Sequence, residues 1–406
     1  MEYVIIGNSA AAIGAVEGIR SVDKKGTITL VSNEPYHTYS RPLISYLLQE
    51  KVTEDAMKYR PDTFYTENAC RLIFASAVQI DAKKKRVLLD NGQELPYGKL
   101  LTATGSSASV VPFAGLQSVK NAFTFMGLDD AKALRAALKP DCRVLIVGAG
   151  LIGLKCAEGI VKLAGSVTVV EVADRILSAV LDGEGAKKVQ AHIESKGVSF
   201  MLSAKIERFE ETRAFLSDGR QIEFDVLVTA TGVKPNVDLL KGIARINKGI
   251  LINEKSQTSA TDIYAAGDCT ECVDVSSGES KIMALLPNAY MQGECAGLNM
   301  AGVDTAFTQA IPMNAAGFFG LHIISAGTYC GEVYTCAEKD YKKLFYSRDK
   351  LNGYILIGNV EKAGIYTSLI RGATPLSSID FNLVCRHPSL MAFTKTERAA
   401  KLGGEK

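Results

Sequence analysis

Two stretches decide how this chain reads: YVIIGNSAAAIGAVEGIR (residues 3–20) and RVLIVGAGLIG (residues 143–153). Each is a short apolar run that ends in glycine and gives way to small residues with helical character. The first predicts a strand over 3–7 and a helix from Ala10 to about Ser21, and the next strand, TITLVSNE, ends in Glu34. The second predicts the same series, closing with the strand SVTVV and Glu171. Strand, glycine turn, helix and a strand with a terminal carboxylate make up a nucleotide-binding βαβ unit. Phosphates sit at the helix N-terminus, where unpaired N–H groups and the helix dipole favour negative charge.

The residue types follow from that geometry. Gly148 serves the tight turn, Gly150 the approach of backbone to pyrophosphate, and Gly153 the packing of helix on strand. In the first copy Gly7 keeps the turn and Ala12 meets the packing demand. Ser9 replaces the middle glycine with the smallest hydroxyl-bearing residue. Alone, that first turn is equally any tight strand–helix turn. A second echo supports the pairing: LLTATGSS (100–107) and VLVTATGVKPN (226–236) both close their units with Thr-Ala-Thr-Gly. Thr-Gly suits a strand that stops abruptly and lets a cofactor or crossing segment come close, although singly it reads as a plain strand end.

The bulk numbers narrow the class. The chain has 406 residues, long enough for two or three domains, with 47% hydrophobic and 22% charged residues. A net charge of +2 gives no electrostatic reason to expect nucleic acid. No run reaches the ~18 apolar residues of a membrane span, and no export signal is recognised, so a cytoplasmic location is expected. Nine scattered cysteines fit free thiols in a reducing compartment, and no zinc-type spacing occurs. Cys269 and Cys272 follow Asp268. They are either a reactive pair at a helix start or small buried residues, and Asp268 alone reads as a helix N-cap. Further strands are expected at KLFYSRD (343–349), LNGYILIGNV (351–360) and IYTSLIR (365–371), with a helical segment near 388–401.

In order, GNSAAA (7–12), Glu34, Arg41-Pro42, Thr104-Gly105, GAGLIG (148–153), Glu171, ATGVKPN (230–236) and AGD (266–268) resemble the pyridine nucleotide–disulfide oxidoreductases over the whole chain. The resemblance implies an α/β fold with two Rossmann-like three-layer ββα domains and a C-terminal α+β domain. FAD would be held by 1–110 and 237–310, NAD(P)H by 111–236, and 311–406 would form an interface domain, in the family a route to homodimers. The implied FAD contacts are Gly7, Asn8, Ser9, Ala10 and Ala11 at the turn and Glu34 on the adenosine ribose. Arg41 and Pro42 would lie beside the pyrophosphate, Ala77 and Val78 at the adenine, and Thr104 and Gly105 at the strand end. Asp268 would meet the ribityl chain, and the loop 287–290, with Asn288 and Ala289, the isoalloxazine. For the nicotinamide cofactor the set is Gly148, Ala149, Gly150, Leu151, Ile152, Gly153, Glu171, Thr231 and Gly232. Glu171 favours NADH, since a carboxylate there repels a 2′-phosphate, while Arg175 keeps NADPH open.

Absences refine the resemblance. YSRPLISYLLQE (39–50) has no cysteine where the disulfide reductases carry one or two. Its RPLIS is instead similar to the R-P-x-L-S of rubredoxin, ferredoxin and nitrite reductase flavoprotein modules. That implies hydride transfer from NADH to flavin, then electron release to rubredoxin, ferredoxin or an iron–sulfur subunit. A peroxide-forming NADH oxidase stays open, as does a non-enzymatic, NADH-responsive flavoprotein scaffold. The relatives place Lys where this chain has Tyr46, and Glu where it has Lys155. Lys155 therefore either supplies the positive field near the flavin, with Glu158 as partner on its own helix, or points to solvent. Tyr46 is either a proton donor or a packed aromatic.

Overall fold

In the computed structural model, which describes residues 1–337, 340–394, 396, 398 and 399, the two glycine turns stand at equivalent places in two parallel sheets. The first sheet runs Ile263–Ala265, Lys99–Thr102, Glu2–Ile6, Thr27–Ser32, Cys70–Phe74, every pair parallel. The second runs Ala122–Phe123, Val226–Thr229, Arg143–Val147, Ser166–Val170, Val198–Met201, again parallel throughout. In both, the strand before the glycine turn lies between its βαβ partner and the strand that ends in Thr-Ala-Thr-Gly. These strands are near-continuous apolar runs because both of their faces are covered. Each unit also carries a three-stranded antiparallel sheet, formed by 77–96 in the first and 206–223 in the second.

The hydrogen bonds repeat as well. Gly7 N–H donates to Val31 and Ala103 N–H to Ile6, both at 2.8 Å; Gly148 N–H donates to Val170 and Ala230 N–H to Val147, also at 2.8 Å. The alanine of each T-A-T-G thus lies against the turn glycine. A Cβ on Gly7 or Gly148 would fall within 3.0 Å of the Ala103 or Ala230 carbonyl oxygen, and both glycines have φ above +100°. Only glycine satisfies both demands. Beyond the strand ends, Ser106–Ala108 pairs with Val233–Pro235, so the two echoes meet as antiparallel crossing segments.

The helix Ala10–Val22 packs on Leu286–Met300 through small residues from both sides. Cβ atoms on Gly14, Gly18, Gly293 or Gly297 would each meet a backbone carbonyl of the opposite helix at less than 3.0 Å. This close approach anchors a core that includes Ile5, Ile13, Val16, Leu30, Leu101 and Ala296.

The chain divides into two compact units. The one just described comprises 1–174, 197–273 and 280–308; the other comprises 175–196, 274–279 and the described residues from 309 onward. The second is built on a five-stranded antiparallel sheet in the order Met313–Phe318, Leu321–Gly327, Lys350–Ile357, Tyr341–Ser347, Glu332–Cys336. IYTSLIR, expected as a strand, lies in the helix Ala363–Arg371. Its β-branched residues suggested extension, but Ala363, Tyr366, Thr367 and Ile370 are buried at helical spacing against Tyr354 and Leu344. Of the helical segment expected near 388–401, residues 395, 397, 400 and 401 lie outside the described residues; the preceding part holds a 3-10 turn at Leu390–Ala392. Among the described residues, no helix is long and apolar enough to cross a membrane.

Candidate functional site

A cavity of about 280 Å³ opens at the C-terminal edge of the first sheet, where parallel α/β sheets bind their ligands. Gly7, Asn8, Ser9, Ala10 and Ala11 form one wall, and Glu34, Arg41 and Ala77 line it further along. Thr104, Gly105, Asp268 and Ala289 complete the part expected from the sequence. Three expected residues do not line it. Val78 is 52% exposed, Pro42 lies on a 3-10 turn, and Asn288 is buried with its amide directed at Met283 Sδ, 3.8 Å away.

Local contacts fix the turn. Ser9 is the N-cap of Ala10–Val22, yet its hydroxyl makes no side-chain cap bond. Asn8 is held from two sides: its Oδ1 accepts from Tyr65 OH at 2.6 Å and its Nδ2 donates to the Tyr36 carbonyl at 3.2 Å. Glu34 forms an ion pair with Arg41, whose Nη1 also donates to Glu34 Oε1 at 3.2 Å. Tyr39 OH donates to the same oxygen at 3.1 Å. The Glu34 carboxylate and the Arg41 guanidinium are therefore one charge-balanced pair at the cavity.

Asp268 follows the strand Ile263–Ala265. The next regular element is the strand Thr270–Val273, so the N-cap reading and the helix-start reading of Cys269 and Cys272 are both corrected. Gly-Asp-Cys reads as a turn before a helix, but the tight turn closes with Thr270 N–H on the Gly267 carbonyl at 2.9 Å and the chain re-extends. Burial pushes the Asp268 carboxyl above its ordinary value, opposed by the hydroxyl of Ser106, which donates to Oδ2 at 3.0 Å, and by Arg41. Cys269 is fully buried and burial pushes its thiol up, the opposite of activation. Cys272 Sγ accepts from Gln292 Nε2 at 3.0 Å. Residues 287–290, expected as a loop, are the first turn of Leu286–Met300. Pro287 suits that position because its missing N–H has no helical acceptor there, and Leu286 and Ala289 present the helix N-terminus to the cavity.

In the second copy, Gly150 is the N-cap of Leu151–Ile160, and a Cβ on it would meet nothing within 4 Å, leaving its backbone open to a ligand. Gly153, by contrast, has the Gly148 carbonyl closer than 3.0 Å to its Cβ position. Glu171 reaches back to this turn, accepting from Ala149 N–H at 2.7 Å and from Ala173 N–H at 2.9 Å. Thr231 OH donates to the Ser109 carbonyl, and Gly232 has φ +110° with open space around it.

The structure brings Lys155 and Tyr46 together. The short helix Ile44–Leu48 packs on Leu151–Ile160, with Gly159 against Leu48 and the Ser45 carbonyl. Lys155 Nζ lies 4.5 Å from the Tyr46 ring centroid and pairs with Glu158. Its side chain is only 17% exposed, so it does not point to solvent. Lys51 Nζ lies 5.5 Å from the same ring.

Sequence reasoning missed Ser106, Asn236, Met126 and Tyr39. The first three line the cavity, and Asn236 Nδ2 donates to the Thr104 carbonyl at 2.9 Å while Thr104 Oγ1 donates back to the Asn236 carbonyl at 2.7 Å. The T-A-T-G echo marks both partners in the pairing of residues 104–109 with 231–236.

FAD fits these residues. The cavity joins a glycine turn at a helix N-terminus, the Glu34 carboxylate, a polar strand end and a second helix N-terminus. A family model for pyridine nucleotide–disulphide oxidoreductases matches residues 1–293. The chain is 32% identical over 394 residues, 93% of each chain, to the epsilon subunit of NADH-dependent phenylglyoxylate dehydrogenase from Aromatoleum evansii. It is 31% identical to rubredoxin-NAD(+) reductase from Pseudomonas putida, over 75% of this chain and 81% of that one. The structure of putidaredoxin reductase in its covalent complex with putidaredoxin superposes with a TM-score of 0.88, at 22% identity, over 100% of this chain and 99% of that one. The duplicated βαβ turns, the cavity between Gly7 and Asp268 and the cysteine-free segment 39–50 therefore have one explanation: the chain belongs to the pyridine nucleotide–disulphide oxidoreductase family, as an FAD- and NAD-dependent oxidoreductase of the non-disulfide type.

Proposed function

We propose that this chain is an NADH-dependent reductase of a small iron–sulfur carrier, rubredoxin or ferredoxin, or of an iron–sulfur subunit in a larger assembly. The observation that carries the reading is the single cavity uniting the Gly7–Ala11 turn with Glu34, Arg41 and Asp268, in a chain with no cysteine over 39–50. The relatives named for phenylglyoxylate dehydrogenase and rubredoxin reduction support it. Residues 1–110 and 237–310 would hold FAD, 111–236 NADH, and the segment from 311 onward would form the interface of a homodimer, in a cytoplasmic protein whose nine cysteines are all thiols.

Bound FAD supplies the chemistry, accepting hydride from the nicotinamide and releasing electrons one at a time. The chain binds and orients. The N–H groups that open the Ala10–Val22 helix would hold the pyrophosphate, Glu34 the adenosine ribose, and Asp268, bonded by Ser106, the ribityl hydroxyls. The turn 148–153 holds the NADH pyrophosphate, and Glu171 holds its ribose and repels a 2′-phosphate. Lys155, paired with Glu158 and against Tyr46, would supply positive charge toward the flavin.

Anaerobic titration of the FAD-loaded protein with NADH, followed by rubredoxin, ferredoxin and oxygen as acceptors, tests the proposal. Full flavin bleaching with rapid turnover of an iron–sulfur carrier is expected. Turnover with oxygen alone, or flavin reducible by dithionite but not by NADH, would overturn it.

A further inference from the structure

We propose that the hydroxyl of Tyr39 is a positioning group that sets the Glu34 carboxylate for the cofactor's adenosine and ties it to the helix Leu128–Ala137. The proposal rests on the reading of the cavity as an FAD site and adds a residue that no sequence motif singled out.

Tyr39 is 8% exposed, and its hydroxyl is fully used. It donates to Glu34 Oε1 at 3.1 Å and accepts from Arg41 Nη1 at 3.2 Å and from Leu128 N–H at 3.0 Å. One proton and two lone pairs are the whole capacity of a phenol. Burial pushes that phenol up to about 12, so it keeps its proton and remains a donor to Glu34 across the working range.

The third bond reaches into the inserted segment. Leu128 opens its helix, where backbone N–H groups have no intrahelical acceptor. Gly127 before it has no side-chain oxygen to offer. A Cβ there would lie 3.0 Å from Glu34 Oε1 and 3.5 Å from Tyr39 OH, so the glycine makes room for the cluster. The same helix is tied to the same loop elsewhere: Tyr36 OH bonds Asp129, and Lys132 Nζ lies 4.9 Å from the Tyr36 ring centroid. A carboxylate near a helix N-terminus also gains from the dipole. Tyr39 therefore joins the adenosine end of the cavity to the segment expected to carry NADH.

The test uses the flavin-free full chain, with FAD and FMN binding followed by flavin fluorescence. FMN lacks the adenosine that Glu34 would meet. In Tyr39→Phe the FAD dissociation constant should rise about tenfold, the loss of one hydrogen bond to a charged group, while FMN binding stays as in the wild type. In a Glu34→Gln background the same substitution should change FAD binding by less than about twofold, because the hydroxyl acts through that carboxylate. Amide exchange at Leu128 should quicken in Tyr39→Phe. Equal weakening of FAD and FMN would mark Tyr39 as merely structural and overturn the proposal. So would unchanged FAD binding, or a full FAD loss that persists beside Glu34→Gln. A wild-type protein that binds no FAD overturns the cavity reading itself and this proposal with it, a result seen without any variant.

Discussion

Replacing Gly293 by alanine sets two known effects against each other, and the structure decides the sign. Glycine inside a helix costs about 1 kcal/mol relative to alanine, so Gly293→Ala in an open helix would stabilise by that amount. Here the added methyl would lie less than 3.0 Å from the Ala11 carbonyl oxygen, with the Ala11 carbonyl carbon and Cα also inside that limit. None of these atoms belongs to a flexible side chain. Relief therefore requires the helix Ala10–Val22 to move as a body, and Gly14, Gly18 and Gly297 make similar backbone approaches along the same seam. Overpacking costs about 1–3 kcal/mol, and a backbone-on-backbone clash belongs at the top of that range. After subtracting the helix gain, a net loss of about 2 kcal/mol is expected. Because Ala11 is in the cavity wall, FAD affinity should fall too. Urea denaturation of the flavin-free protein, paired with FAD binding, measures both. Gly364→Ala is the control: that glycine is exposed in the helix Ala363–Arg371 with nothing within 4 Å of its Cβ position, so it should gain up to about 1 kcal/mol. A Gly293→Ala protein as stable as the wild type would refute the close-packed seam.

Lys155→Met should slow flavin reduction by NADH at least about tenfold and lower the flavin potential; stopped-flow reduction and a dye-coupled potential check both, and unchanged values would remove Lys155 from the site. Asp268→Asn should stabilise the flavin-free protein at neutral pH. The sign follows from burial, which raises the folded carboxyl above its unfolded value. Its stabilising contribution is thus complete below the unfolded carboxylate pKa of about 4 and disappears as pH rises through the folded value. The gap between the Asp268→Asn protein and the wild type should widen with pH in thermal melts from about pH 4 upward, and a pH-independent gap would contradict it. Glu171→Ala should raise catalytic efficiency with NADPH relative to NADH by about tenfold or more, as a repulsive carboxylate leaves the ribose subsite; an unchanged ratio of the two efficiencies would place the nucleotide elsewhere.

What the sequence disclosed and what it withheld divide along a physical line. The turn glycines were legible because backbone geometry admits nothing else at Gly7 and Gly148, and because the strand that imposes the constraint repeats its own motif. IYTSLIR was misread because β-branched residues signal extension only until tertiary packing selects a face, here the helical one set by Tyr366 and Ile370. Gly-Asp-Cys-Thr-Glu-Cys misled for a related reason: its local pattern suits a helix start, while the chain instead pairs Glu271 and Cys272 with Ile282 and Lys281. Ser106 escaped notice because its hydroxyl acts on the remote Asp268, and Tyr39 because its tie to Leu128 is equally remote while its nearer bonds to Glu34 and Arg41 follow no motif.

The exchange at positions 46 and 155 shows how such remoteness can still be reasoned across. Read one residue at a time, the resemblance implies a lysine where Tyr46 stands and a glutamate where Lys155 stands. Read as two helices in contact, Tyr46 and Lys155 face each other, with Glu158 paired to the Lys155 ammonium. Lys155 Nζ sits 4.5 Å from the Tyr46 ring centroid, and Glu158 supplies a carboxylate from one turn further along. What an electrostatic role constrains is the place of the charge relative to the reacting atoms, not the segment that delivers it. A Tyr46→Lys, Lys155→Glu double variant, which restores the relatives' arrangement, should therefore recover flavin reduction that Tyr46→Lys alone, with two ammonium groups crowded together, does not.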